Sequence, residues 1–181
     1  PWRRTRDPYK ILVSEIMLQQ TQVDRVIPKY REFLRRYPTV QKLAKARPAE
    51  VRKVWYPLGY NIRPLRLRNI ARAVVQEHGG RIPDSYDGLL AMDGVGRYTA
   101  GAVLSFAFNR DAPILDTNVA RLLQRHFRVS NSSRKQHRLW ELAARDERGN
   151  ALAGNVVAEA TTNCYLRSEK GLVAAFGVAD L

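Results

Sequence analysis

Two glycines, Gly94 and Gly96, constrain this chain more than any other feature. They stand in Leu90-Ala91-Met92-Asp93-Gly94-Val95-Gly96-Arg97-Tyr98-Thr99-Ala100, between an apolar helix end and a second segment of helical pattern. Glycine lets a backbone turn tightly and lets another backbone come close. The segment predicts a hairpin of two helices joined by a Gly-Val-Gly turn. The amides that open the second helix point outward and favour a phosphate there. An ordinary helix–helix turn can use the same glycines, so the rest of the chain must decide.

The periodic signals around the hairpin are almost all helical. Tyr9 to Gln19 follows Asp7-Pro8, a cap and then a proline at the first helical position. Thr21 to Tyr37 carries Val23, Val26, Ile27, Tyr30, Phe33 and Leu34 at helical spacing and stops before Pro38. Thr39 to Ala46 and Pro48 to Trp55 are short helices, and Ile62 to His78 ends at Gly79-Gly80. Asp84 opens the helix that enters the hairpin. Arg97 to Phe108, rich in small residues, leaves it; Asp116 to Phe127 and His137 to Arg145 follow. No segment alternates as a strand should, and there is no internal repeat. The prediction is an all-α fold with short loops. Residues 149–181 are rich in Ala, Gly and Val, with weak periodicity.

Charge narrows the partners. The 181 residues hold 31 Lys and Arg against 17 Asp and Glu, a formal net charge of +14. Such an excess points to an anionic partner, nucleic acid before a membrane surface. No stretch reaches the roughly eighteen apolar residues that a membrane span needs. Cys164 is the single cysteine, so neither an internal disulfide nor a four-cysteine zinc or iron–sulfur site can form. His78, His126 and His137 lack ligand spacing, and no metal is expected.

Two carboxylates are candidates for chemistry. Asp116, in Asp116-Thr117-Asn118-Val119-Ala120-Arg121, reads as a helix cap, a role aspartate favours. A capping carboxylate is fixed in place, which is what a sugar developing positive charge needs from an anion. Glu15 lies in Ile11-Leu12-Val13-Ser14-Glu15-Ile16-Met17-Leu18-Gln19-Gln20 with apolar neighbours on both sides. It is either a surface glutamate on an amphipathic helix or a carboxyl whose apolar setting raises its pKa into the range of a general acid. Gln19, Gln20 and Gln22 cluster just beyond it. Tyr60 is a candidate for stacking on a base or for core packing. Arg63, Arg66, Arg68 and Arg72 spread over more than one helix face, most of them solvated and a minority on phosphates.

Residues 1–129 resemble the catalytic domain of MutY-type adenine DNA glycosylases, in the helix–hairpin–helix glycosylase superfamily. The matching strings are Pro1-Trp2-Arg3, Ser14-Glu15-Ile16-Met17-Leu18-Gln19-Gln20-Thr21-Gln22-Val23, Leu58-Gly59-Tyr60, Gly94 to Ala100 and Asp116-Thr117-Asn118-Val119. The Leu-Gln-Gln-Thr-Gln string favours the adenine branch. The resemblance implies a six-helix barrel over 22–129 and a second helical layer from both termini, 1–21 plus 130–181. It implies that Glu15 protonates adenine, Asp116 stabilises an oxocarbenium-like transition state, and Asn118 helps to order that aspartate and a water. Tyr98 occupies the position where lyase relatives place a lysine, and tyrosine cannot form a Schiff base, so base removal without strand cutting is implied. Gln20 and Tyr60 match residues that fill or wedge the stack. Gly94, Val95, Gly96, Arg97 and Thr117 match DNA contacts, and Trp2, Arg3 and Leu18 match positions around the flipped adenine.

The chain departs from the family in two respects. Many members bind an iron–sulfur cluster through four cysteines, and many carry a C-terminal domain that recognises 8-oxoguanine; neither matches here. The expectation for 130–181 is a cluster-free helical cap, with no cofactor. The expected partner is double-stranded DNA with a mispaired adenine, bound by a monomer inside the cell, in a bacterial cytoplasm, with no membrane partner. Two other readings stand beside this one: a thymine glycosylase acting on T·G mispairs, and a non-catalytic DNA-binding remnant.

Overall fold

The computed structural model describes residues 1–59, 62–130, 134–143, 159–160, 163–168 and 171–177. It divides into two compact units, Pro1–Phe108 and Asn109–Leu181. In the first, a 3₁₀ turn at Trp2–Arg4 precedes α1 (Pro8–Leu18), α2 (Val23–Arg36), α3 (Val40–Ala44), α4 (Pro48–Trp55), α5 (Ile62–Glu77), α6 (Tyr86–Leu90) and α7 (Arg97–Phe108).

The first unit is assembled around α1. The Asp7 carboxylate accepts hydrogen bonds from the amides of Tyr9 (3.0 Å) and Lys10 (3.2 Å), and Pro8 fills a position that needs no amide donor. From Tyr9 onward, Ile11, Leu12, Val13, Ser14, Glu15, Ile16 and Met17 are all buried. A helix buried all round belongs at the centre of a core. It packs on α2, α5, α7 and the 3₁₀ turn. Each large apolar side chain taken from water there stabilises the fold by about 1.5–3 kcal/mol. The close approach of α7 is possible because Ala100, Gly101 and Ala102 face inward. An aromatic cluster continues the core, with Phe33 set edge-on to Trp55 at 5.9 Å and tilted against Tyr37 at 5.1 Å.

The helix ends differ from expectation by a residue or two. Ser85, not Asp84, caps α6, its hydroxyl accepting from the Gly88 amide at 3.2 Å. The second helix begins at Val23 because Thr21 is occupied elsewhere: its hydroxyl donates to the Gln19 carbonyl and accepts from Arg63.

In the second unit, α8 (Thr117–His126) and α9 (Lys135–Ala143) share a small core of Leu115, Val119, Leu122, Leu123, Leu139 and Leu142. The spacing of the first four is that of one helical face. The all-helical reading holds through α9. The tail departs from it. Where a helical cap was expected over 130–181, β1 (Glu159–Ala160), β2 (Asn163–Ser168) and β3 (Gly171–Gly177) form an antiparallel meander. Cys164 pairs with Phe176 and Leu166 with Ala174; Arg167 then pairs with Leu172, so Val173 is the extra residue of a bulge. The cause is local composition. Tyr165, Leu166, Leu172, Val173 and Phe176 are strand-favouring or apolar, and Gly171 and Gly177 bound the last strand.

Candidate active site

Glu15 is 1 % exposed, on a helix buried all round, so it is not the surface glutamate of an amphipathic helix. Its Oε1 lies 3.4 Å from Nη1 of Arg3. A carboxylate at such depth is stabilised by a cation close by. Arg3 is itself held, its guanidinium stacked 3.7 Å from the centre of the Phe106 ring on α7. Thus the 3₁₀ turn, α1 and α7 each contribute one member of a stack: cation, acid and ring. Trp2 is buried with its ring edge-on to Tyr30 at 5.4 Å, and Leu18 is half-buried at the end of α1. Of the three residues expected around a base, Arg3 touches Glu15; Trp2 packs on Tyr30.

The hairpin has the predicted form. Gly94 adopts φ +87°, where side chains are strained. The Val95 amide donates to the Met92 carbonyl at 3.0 Å, and both side chains are buried, anchoring the turn. Gly96 and Arg97 are exposed, and Ala100 donates to the Gly96 carbonyl at 2.9 Å to start α7. The N–H groups that open a helix point along its axis, which is the usual setting for an anion. Tyr98 is half-buried on the first turn of α7.

Asp116 caps α8 in the second unit. Its Oδ1 accepts from the Val119 amide at 2.7 Å, and the residue is half-buried. The cap fixes the carboxylate at one point of the backbone, as the sequence required. Thr117 and Asn118 are exposed beside it.

Gln20 is exposed, with φ +53°. Tyr60 lies outside the described residues. Three arginines of α5 have places that the sequence reading did not foresee. Arg63, expected to be solvated or on a phosphate, is 5 % exposed and hydrogen-bonded to carbonyls. The signal was present: Arg63, Leu67, Ile70 and Val74 form one helical stripe, and all four are buried. Arg66 is exposed and lies against Gly94; a Cβ built on that glycine would meet its Cδ at 3.0 Å. Arg68 donates from Nε to the Ala46 carbonyl at 2.6 Å, closing the end of α3.

Among the described residues no group of His, Cys, Asp and Glu is placed to hold a metal ion. Cys164 lies on β2, and these 181 residues do not supply the four thiolates of an iron–sulfur cluster. No helix among the described residues is long and apolar enough to cross a membrane.

A buried glutamate, a Gly-Val-Gly hairpin and a helix-capping aspartate follow one another along the chain. Residues 13–145 match the model of the HhH-GPD superfamily base excision DNA repair protein. The chain belongs to the HhH-GPD superfamily. Within it, the chain is 39 % identical over 142 residues to the adenine DNA glycosylase of Buchnera aphidicola, covering 78 % of this chain and 40 % of that protein. It is 37 % identical over 147 residues to the thymine/uracil-DNA glycosylase of Pyrobaculum aerophilum, covering 79 % and 64 %. A solved thermostable thymine-DNA glycosylase superposes with a TM-score of 0.74 at 38 % identity, covering 79 % of this chain and 67 % of that one. The chain thus spans well under half of its adenine-type HhH-GPD relative and about two thirds of its thymine-type ones.

Proposed function

We propose that this chain is a monofunctional DNA glycosylase that excises adenine mispaired with 8-oxoguanine or guanine, by acid-assisted hydrolysis of the N-glycosidic bond. The observation that carries the reading is the Glu15 carboxyl, 1 % exposed on the central helix of a member of a base excision repair superfamily.

The chemistry follows from the groups. A base inside a duplex is out of reach, so its nucleotide is first extruded, at a cost of a few kcal/mol that a mispair lowers. The glutamic acid donates its proton to a ring nitrogen of the extruded base. The bond from the sugar C1′ then breaks with its electron pair going to the base, which leaves neutral. The sugar is left cationic at C1′, and the carboxylate of Asp116, fixed by its cap, stabilises that charge. Water adds to C1′ and gives up a proton to the Glu15 carboxylate, which restores the acid and leaves an abasic site. General acid assistance contributes about 10²–10⁴-fold. With Tyr98 in place of a lysine, no Schiff base forms and the strand stays intact.

Leu18-Gln19-Gln20-Thr21-Gln22 supports adenine as the target. The likeness to thymine glycosylases supports a second reading, removal of thymine from T·G pairs. The deciding experiment is single-turnover cleavage of labelled duplexes carrying A·8-oxoguanine, A·G, T·G or A·T, resolved on denaturing gels with and without hot alkali. Strand scission at A opposite 8-oxoguanine or G, and only after alkali, is the expected result. Scission only at T·G moves the substrate to thymine, and none at any duplex sinks the enzymatic reading. On the cleaved duplex, Glu15→Gln lowers the rate by about 10²–10⁴-fold while the protein stays folded.

A further inference from the structure

Arg63 sits on the buried face of α5, yet its bonds leave that helix. Nη1 donates to the carbonyls of Ile16 (3.2 Å) and Met17 (3.1 Å), and to that of Gln19. Nη2 donates to the Thr21 hydroxyl (3.1 Å), the Leu58 carbonyl (3.1 Å) and the Gly59 carbonyl (3.5 Å). The Trp55 ring lies beneath the guanidinium, 5.6 Å from it. One planar fork therefore closes two separate segments: the loop that leaves α1 and the turn that enters α5. A second tie reinforces the pairing from outside, Arg25 Nη2 donating to the Pro57 carbonyl at 3.0 Å.

What these segments present is unusual. Gln19 and Gln20 are exposed, and Gln20 is held at φ +53°, a conformation that L residues avoid. Strained backbone persists only where its surroundings over-determine it, and the Arg63 bonds on either side of Gln20 do so. Flanking the two segments are apolar side chains left in solvent: Val23 at 51 %, Tyr56 at 74 % and Ile62 at 53 % exposure. Amide and apolar groups on a rigid edge suit insertion into a base stack.

We propose that Arg63 is the positioning residue for base extrusion: it holds the Gln19–Thr21 loop and the Leu58–Gly59 turn as one pre-ordered edge, so that Gln20 enters the stack as the target leaves it. The proposal rests on the glycosylase reading above. A loop ordered before binding avoids the entropy of ordering at the moment of insertion. Lysine keeps the charge but lacks the planar fork, so it cannot serve both segments.

The test compares single-turnover rates on two duplexes, adenine opposite 8-oxoguanine and adenine opposite an abasic-site analogue, where extrusion meets less resistance. Arg63→Lys is expected to lose about tenfold, equivalent to about 1.36 kcal/mol of activation free energy, on the first duplex and to recover most of that on the second. Gln20→Ala should show the same pattern, and the double variant should lose no more than the larger single loss. Thr21→Val, which removes one acceptor at the loop, should lose less in the same direction, and it serves where Arg63→Lys fails to fold by thermal melting. Equal losses on both duplexes, additive losses in the double variant, or no loss would overturn the proposal. A wild-type chain that cleaves neither duplex would instead overturn the glycosylase reading beneath it.

Discussion

Gly94 and Gly96 share one turn but are needed for different reasons. Gly94 sits at φ +87°, and a Cβ there would press on Arg66 at 3.0 Å. Gly94→Ala should therefore lower stability, by about 1 kcal/mol or more, visible as a reduced midpoint in urea. At Gly96 the same Cβ meets nothing within 4 Å, and the residue is exposed. Gly96→Ala should leave the urea midpoint almost unmoved and weaken duplex binding, because the methyl would stand where a phosphate approaches the amides. Equal effects of both changes on stability would refute this division. A second residue-level prediction concerns alkali. Burial, with a smaller contribution from the Asp7 charge, pushes the Tyr30 hydroxyl up to about 12, and burial raises Tyr9, whose hydroxyl donates to the Tyr37 carbonyl at 2.8 Å. In the unfolded chain a tyrosine ionises near 10. Above that pH the unfolded state releases protons that the folded state keeps. The stability contributed by Tyr30 is thus complete below about pH 10 and lost as pH rises through about 12. Absorbance near the phenolate band should show Tyr30 and Tyr9 ionising only as the fold is lost, and Tyr30→Phe should flatten the alkaline fall in stability.

At the level of the element, α8 tests whether a cap and a catalytic anion are one group. Asparagine caps a helix about as well as aspartate, whereas alanine costs about 1 kcal/mol. Asp116→Asn should therefore melt close to the parent and lose most of its excision rate, while Asp116→Ala should lose both. Unchanged excision in Asp116→Asn would leave Asp116 a cap alone. That Asp116 caps α8 was legible in the sequence, as were Asp7-Pro8 before α1 and the Gly-Val-Gly hairpin, because each depends on local backbone chemistry. Glu15 was only half legible. The apolar residues around it fit a surface stripe or a central helix, and the packing of α2, α5 and α7 against α1 decided between them. Arg63 was misread because a charged residue was assumed to seek water. Its place in line with Leu67, Ile70 and Val74 showed its burial, but three of the carbonyls that compensate it, those of Ile16, Met17 and Gln19, come from residues more than forty positions earlier in the sequence. The strands of the tail were missed for a different reason: Ala and Gly dilute the alternation in Gly171–Gly177, and cross-strand partners such as Cys164 and Phe176 define the register.

For the molecule as a whole, a net charge of +14 predicts affinity for any duplex, and its salt dependence reveals how much of that affinity is ionic. Each phosphate neutralised contributes roughly 0.9 to the slope of log K against log salt. Only the cations that meet phosphates count, so the slope should be smaller than the net charge. Arg66 offers a way to assign one unit of it. It is exposed and packed against Gly94, beside the amides that open α7. Arg66→Ala should weaken binding to matched and mispaired duplexes by the same factor and reduce the slope by about 1, since a phosphate contact carries no sequence information. Arg63→Lys, with the same net charge and a buried side chain, should leave the slope unchanged even as excision falls. Fluorescence anisotropy across a salt series, on both duplexes with the parent and both variants, measures all six slopes. If Arg66→Ala left the slope intact, the phosphate would have to be held by the hairpin amides alone. If Arg63→Lys lowered it, the loop edge would itself be an ionic contact, and the separation between gripping the backbone and opening the stack would fail.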